Sequence, residues 1–154
     1  MSDLDRSVAF YRDLFGFTVE RVSESSGTDV SGMTGLPGSH FKLALSQHSG
    51  HLLELIQYLS PRGTSKAPSR NDVGAAHIAF YVDDAQETYR ILHAHGVRFV
   101  TPPQDRGAVI ACYFLDPDGI TLEFACWVKE FTTSDTQTAP KTASDRRPRA
   151  QVVR

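Results

Sequence analysis

The chain repeats itself, and that repeat constrains its fold more than any other feature. Tyr11-Arg12 returns 78 residues later as Tyr89-Arg90, and Leu53-Glu54-Leu55 returns 69 residues later as Leu122-Glu123-Phe124. Each copy reads as a helix followed by three strands. In the first copy Leu4, Val8, Tyr11 and Phe15 recur at helical spacing with Leu14 beside them, Asp3 can cap the start and Gly16 can end it. Residues 17–22 alternate as a strand, and 23–39, with four glycines and a proline, read as a loop. Residues 41–45 and 51–58 read as two more strands joined across Gln47-His48-Ser49-Gly50.

The second copy carries an additional leading strand at 76–82. Its helix opens on the capping box Asp84-Ala85-Gln86-Glu87, runs to about His95 and closes at Gly96, with Ala85, Tyr89 and Leu92 on its apolar face. Strands at 97–100, 109–115 and 120–127 follow, the last two separated by the turn Asp116-Pro117-Asp118-Gly119. The position matching His77 in the first copy falls before Met1, so the first copy is expected to lack its opening strand. A sheet short of a strand exposes backbone groups and part of its apolar face. Upstream residues, a partner subunit or local rearrangement would have to cover them. The expected organisation is a first module at 1–60, a linker at 61–74, a second module at 75–131, and a basic, disordered tail at 132–154.

Composition narrows the function classes. A hydrophobic fraction of 40% with 22% charged residues excludes bulk disorder, and a formal net charge of -2 argues against nucleic acid as the main partner. Residues 1–131 hold 11 basic and 16 acidic side chains, whereas 132–154 hold five basic and two acidic, so the positive excess sits in the tail. No run approaches the roughly 18 apolar residues of a membrane span, and no apolar signal core follows Met1. Cys112 and Cys126 are too few for a disulfide framework and fall in apolar strands, which points to a reducing, cytoplasmic setting.

The chemistry-bearing residues sit at matched places in the repeat. Glu54 and Glu123 lie in apolar last strands, and His77 opens the second copy's leading strand. Singly, each carboxylate can face solvent by strand alternation, and His77 can be a structural strand histidine. If both carboxylates face a concave sheet interior, they need a hydrogen-bonded partner, an opposite charge or a metal. Pseudo-twofold pairing then makes Glu54, His77 and Glu123 three ligands of one site. One imidazole and two carboxylates suit zinc, nickel, cobalt, manganese or iron without selecting among them. Open positions on such an ion would accept vicinal substrate oxygens and stabilise an enolate or enediolate.

Four segments resemble the vicinal oxygen chelate superfamily, which contains glyoxalase I, methylmalonyl-CoA epimerase, extradiol dioxygenases and bleomycin or fosfomycin resistance proteins. They run from Ser2 through Phe17, from Leu53 to Tyr58, from His77 to Asp84 and from Phe114 to Phe124. The likeness covers residues 1–128. It implies an α+β fold in which two βαβββ modules form a cupped mixed sheet around a metal held by Glu54, His77 and Glu123. The family's fourth ligand, a first-strand histidine, would stand about four residues before Met1. The resemblance therefore implies either a chain that begins late or an altered site.

Glutamate at both carboxylate positions is similar to glyoxalase-like members, whereas the epimerases commonly have Gln where Glu54 stands. The implied function is a metal-dependent lyase, isomerase or epimerase acting on a small substrate with vicinal oxygens, with Glu54 or Glu123 moving the proton. Two rival accounts stay open: a metal-free small-molecule binding or antibiotic-resistance protein, and an extradiol-type dioxygenase. The family likeness and the uncovered strand edge both imply a homodimer. The 23–39 loop and Arg106 are the expected specificity elements, with a plain solvated charge the simpler account of Arg106. His40, His48, His51, His93 and His95 form no compact ligand motif, and His51 should point away from Glu54's face.

Overall fold

The computed structural model describes residues 1–64 and 68–128, so the tail expected at 132–154 lies outside the described residues. The element order is α1 (Leu4–Phe15), β1 (Thr18–Ser26), α2 (Thr28–Thr34), β2 (His40–His48), β3 (His51–Ser60), β4 (Ile78–Tyr81), α3 (Ala85–Ala94), β5 (Arg98–Phe99), β6 (Gln104–Asp105), β7 (Val109–Leu115) and β8 (Thr121–Trp127). Two units result. The first has an antiparallel sheet in the order β1-β2-β3, and the second a mixed sheet in the order β4-β8-β7-β5 with β6 also on β7. No strand precedes α1 among the described residues, whereas β4 leads the second unit and pairs parallel to β8. This is the α+β, two-module architecture the repeat implies.

Helix α1 is built as its sequence dictates. The Asp3 side chain accepts from the Arg6 backbone N–H at 3.0 Å, satisfying one of the free donors of the first turn. At the other end Gly16 takes φ 68°, and the Gly16 and Phe17 N–H groups close onto the Arg12 and Tyr11 carbonyls. That left-handed residue is cheap only for glycine. Helix α3 is capped by Asp84, which accepts from the Gln86 and Glu87 N–H groups, and Glu87 also accepts from Arg90 at 2.8 Å.

One aromatic cluster joins the two units. Phe15 of α1 is fully buried and stacks on Phe80 of β4 at 4.6 Å and on Phe114 of β7 at 5.8 Å between ring centroids. Tyr11 and Phe17 extend the cluster on the first unit's side, and Phe99 and Phe124 on the second's. The aromatic helix face thus packs into a core, in agreement with the preference of large apolar rings for burial.

The largest departure from expectation falls in 23–39. Strand β1 continues to Ser26, and Thr28–Thr34 forms a short helix between Gly27 (φ 112°) and Gly35 (φ 67°). No residue of α2 is buried, so it has no apolar stripe for periodicity to register. Strand β6 was missed for a similar reason: it is two exposed residues held by pairing to β7.

Candidate functional site

Strand alternation places the second unit's polar side chains. Leu122 and Phe124 of β8 are fully buried in the core, so Glu123 between them points to the opposite face. Tyr113 stands directly across from Glu123 on β7, flanked by buried Cys112 and Phe114. His77 sits immediately before β4, beside β8. Its Nε2–H donates to Glu123 Oε2 at 3.0 Å, and its ring meets Tyr113 edge-on, 5.4 Å between centroids at 89°. The imidazole is 42% exposed and the carboxylate only 19%, so His77 is the solvent-facing partner of a half-sequestered pair. A carboxylate so placed needs a donor, and His77 supplies it.

Glu54 is placed differently. Leu55 is buried against α1's side of β3, which turns Glu54, with Leu52, Ile56 and Tyr58, to the other face. Strand β3 pairs regularly from His51 to Tyr58, so His51 and Glu54 do face opposite ways. Glu54 is exposed, and among the described residues no three His, Cys, Asp or Glu side chains gather into a set able to hold a metal ion. Of the three expected ligands, the structure joins His77 to Glu123 and leaves Glu54 apart. An imidazole nitrogen beside a carboxylate oxygen is suitable donor chemistry for a borderline divalent ion, but two donors fall short of the roughly four such an ion requires. Within one chain the fit is half complete.

A cavity of about 620 Å³ opens beside the pair. Tyr58 of the first unit, Arg62 and Arg70 of the linker, and His77, Tyr113 and Asp118 of the second unit line it. Of these, sequence reasoning singled out only His77 as a site residue. Tyr113 was findable, since it falls opposite Glu123 once the hairpin register is drawn; Tyr58 shares a face with Glu54 by alternation. Arg62 and Arg70 lie in a stretch with no periodicity and carried no signal. The expected specificity elements, 23–39 and Arg106, do not line it.

The turn after β7 forms one rim. Asp116 is buried; its Oδ1 accepts from the Asp118 and Ile120 N–H groups at 2.9 and 2.8 Å, and its Oδ2 accepts from the Tyr11 hydroxyl at 3.2 Å. Burial raises its carboxyl above the usual range despite these donors, and burial together with Asp116's charge raises the Tyr11 phenol. At Asp118 burial also pushes upward, but hydrogen bonds from the Ser2 hydroxyl and backbone N–H and the charge of Arg6, 2.7 Å away, outweigh it and hold the carboxyl low. Asp118 is therefore an already neutralised anion.

Three of the other histidines serve local structure: His40 pairs with Glu24 at 2.6 Å, His48 meets the Gly16 carbonyl and His95 the Ile91 carbonyl. Both cysteines are free, and burial pushes the Cys112 thiol up to about 12.

The model of the Glyoxalase/Bleomycin resistance protein/Dioxygenase superfamily matches residues 1–124. A lactoylglutathione lyase of Haemophilus influenzae is 31% identical over 127 residues, spanning 80% of this chain and 84% of that protein. Among solved structures, a glyoxalase family protein from Bacillus cereus superposes with a TM-score of 0.74 at 23% identity, covering 84% of this chain and 89% of that one. The fosfomycin resistance protein FosX from Listeria monocytogenes superposes with a TM-score of 0.57 at 19% identity, covering 88% and 89%. At those identities the two structures speak to the fold alone.

Proposed function

This chain belongs to the Glyoxalase/Bleomycin resistance protein/Dioxygenase superfamily, and from that membership we propose that it is a metal-dependent lyase, isomerase or epimerase acting on a small substrate with vicinal oxygens. The observation that carries the reading is the His77–Glu123 pair, joined at 3.0 Å beside a cavity large enough for a small-molecule ligand. His77 and Glu123 would hold a divalent ion, and Glu54 of a second copy would complete the set in a cytoplasmic homodimer. When bound, the ion supplies Lewis acidity toward negative charge developing on the substrate's oxygens.

The chain's own residues do the rest. His77 and Glu123 would hold such an ion in place of their present hydrogen bond, and the Glu123 carboxylate would then be available to ligate or to accept a substrate proton. Tyr113, edge-on to the imidazole, fixes the ring's plane. Tyr58 also lines the cavity and is itself braced against Phe41 at 5.6 Å. The likeness to a lactoylglutathione lyase makes the hemithioacetal of glutathione and methylglyoxal the first substrate to try.

The test is metal analysis of the full chain after exposure to zinc, nickel, cobalt, manganese and ferrous ions, alongside hemithioacetal turnover. We expect about one ion per chain and its loss in His77→Gln and in Glu123→Gln. Failure of the unaltered protein to retain any of the five ions sinks the metal-dependent reading. One observation favours a second reading, the metal-free binding protein: His77 and Glu123 already satisfy each other. That account predicts ligand protection without turnover.

A further inference from the structure

The cavity has a charge bias that the metal reading does not use. Two arginines, Arg62 and Arg70, line it, and among the described residues neither has an ion-pair or hydrogen-bond partner. The one carboxylate lining it, Asp118, is committed elsewhere: Arg6 holds it at 2.7 Å, and Ser2 donates to it twice. The lining therefore has an uncompensated positive excess, on guanidinium groups whose fork of donors matches planar or tetrahedral oxyanions. The remaining walls are different in kind. Tyr58 and Tyr113 offer apolar ring faces, and the volume of about 620 Å³ fits a small organic molecule rather than a bare ion.

We infer that the ligand of this cavity is a small organic acid, its carboxylate, phosphonate or phosphate held by Arg62 and Arg70 and its apolar body lying between Tyr58 and Tyr113 toward His77. This rests on reading the cavity as the substrate site, and it deepens that reading by assigning specificity to the linker instead of to 23–39 or Arg106. It also gives the linker a purpose: its Arg62 and Arg70 both reach the cavity that the two units line. Both arginines are exposed, so replacing them leaves the core intact.

The experiment is titration of the full chain with phenylacetate, phenylphosphonate and the neutral isostere phenylacetamide, followed by ligand-observed NMR. The proteins are the unaltered chain, Arg62→Gln, Arg70→Gln, the double variant, and Arg98→Gln as an exposed arginine outside the cavity. The acids should bind at least about tenfold more tightly than the amide, and each cavity variant should weaken the acids about tenfold, leaving the amide and Arg98→Gln unchanged. A tighter phosphonate identifies a phosphorus oxyacid as the natural group, and a tighter phenylacetate a carboxylic acid; both support the inference. Equal binding of acid and amide, indifference to Arg62 and Arg70, equal damage from Arg98→Gln, or no binding of any probe overturns it. The two claims fail separately: arginine-dependent acid binding by an unaltered chain that retains none of the five metal ions upholds this inference while the metal-dependent reading fails, and metal retention with acid binding indifferent to Arg62 and Arg70 overturns this inference alone.

Discussion

Asp118 ties the start of the first unit to the last turn of the second, and its ionisation makes that tie depend on pH. Ser2 and Arg6 lie more than 110 residues away in sequence, and both reach the same carboxylate. Because the folded carboxyl is held below its unfolded value, its stabilisation is fully present above the unfolded value and is lost as pH falls through the folded one. Asp118→Asn should therefore lower stability at neutral pH by about 1–2 kcal/mol, mostly through Ser2, since half-exposed Arg6 is screened by water. Urea denaturation should show that gap narrowing as pH falls below the ordinary carboxylate range and the unaltered side chain takes up its proton. Asp116 has the opposite slope, because burial raises its carboxyl and protonation relieves that strain. Cys112 gives a second check at this scale: with its thiol pushed to about 12, it should stay unalkylated by iodoacetamide at pH 8 while the chain is folded, and react once urea unfolds it. The sequence shows that 116–119 is a turn, because Pro117 and Gly119 say so locally. It could not show that Asp116 is buried under Tyr11, since that contact spans 105 residues and leaves no local pattern.

At the scale of elements, what the sequence reveals follows from where each element's energy comes from. Helices α1 and α3 have both an apolar face and a capping aspartate, so periodicity and caps agree. Asp3→Ala should lower stability by about 1 kcal/mol through the lost first-turn acceptor, measurable as a shift in urea midpoint at unchanged slope. Helix α2 has neither signal and is held by glycine-bounded geometry and by Ser31 and Ser39, which bond within its own loop. Phe15 tests whether the two units are elements of one core. Stacked on Phe80 and Phe114, it should take about 3–5 kcal/mol with it in Phe15→Ala, and both units should still melt in one transition. Two separated transitions would show instead that the repeats fold independently.

For the whole molecule, the repeat makes matched positions equivalent in the sequence, but the fold does not make them neighbours. His77 and Glu123 belong to one unit and meet because β4 lies beside β8; Glu54 belongs to the other, on an exposed stretch of β3 next to Leu52, which is 70% exposed. The candidate residues stood out by residue chemistry and matched spacing. Their separation did not, because it depends on how two sheets are set relative to each other. A carboxylate displayed beside an exposed leucine on an edge strand is placed to meet a second molecule, and the homodimer proposed above has a stoichiometric signature. Glu54→Ala and His77→Ala should each abolish metal retention alone. When the two are unfolded together and refolded as a mixture, half of the dimers pair one chain of each kind, and each of those has one site with both groups intact. The mixture should recover about a quarter of the unaltered occupancy. If Glu54 and His77 of the same chain instead shared a site, every site in the mixture would lack one of them and occupancy would stay at zero, so the measurement separates the two arrangements without knowledge of the substrate.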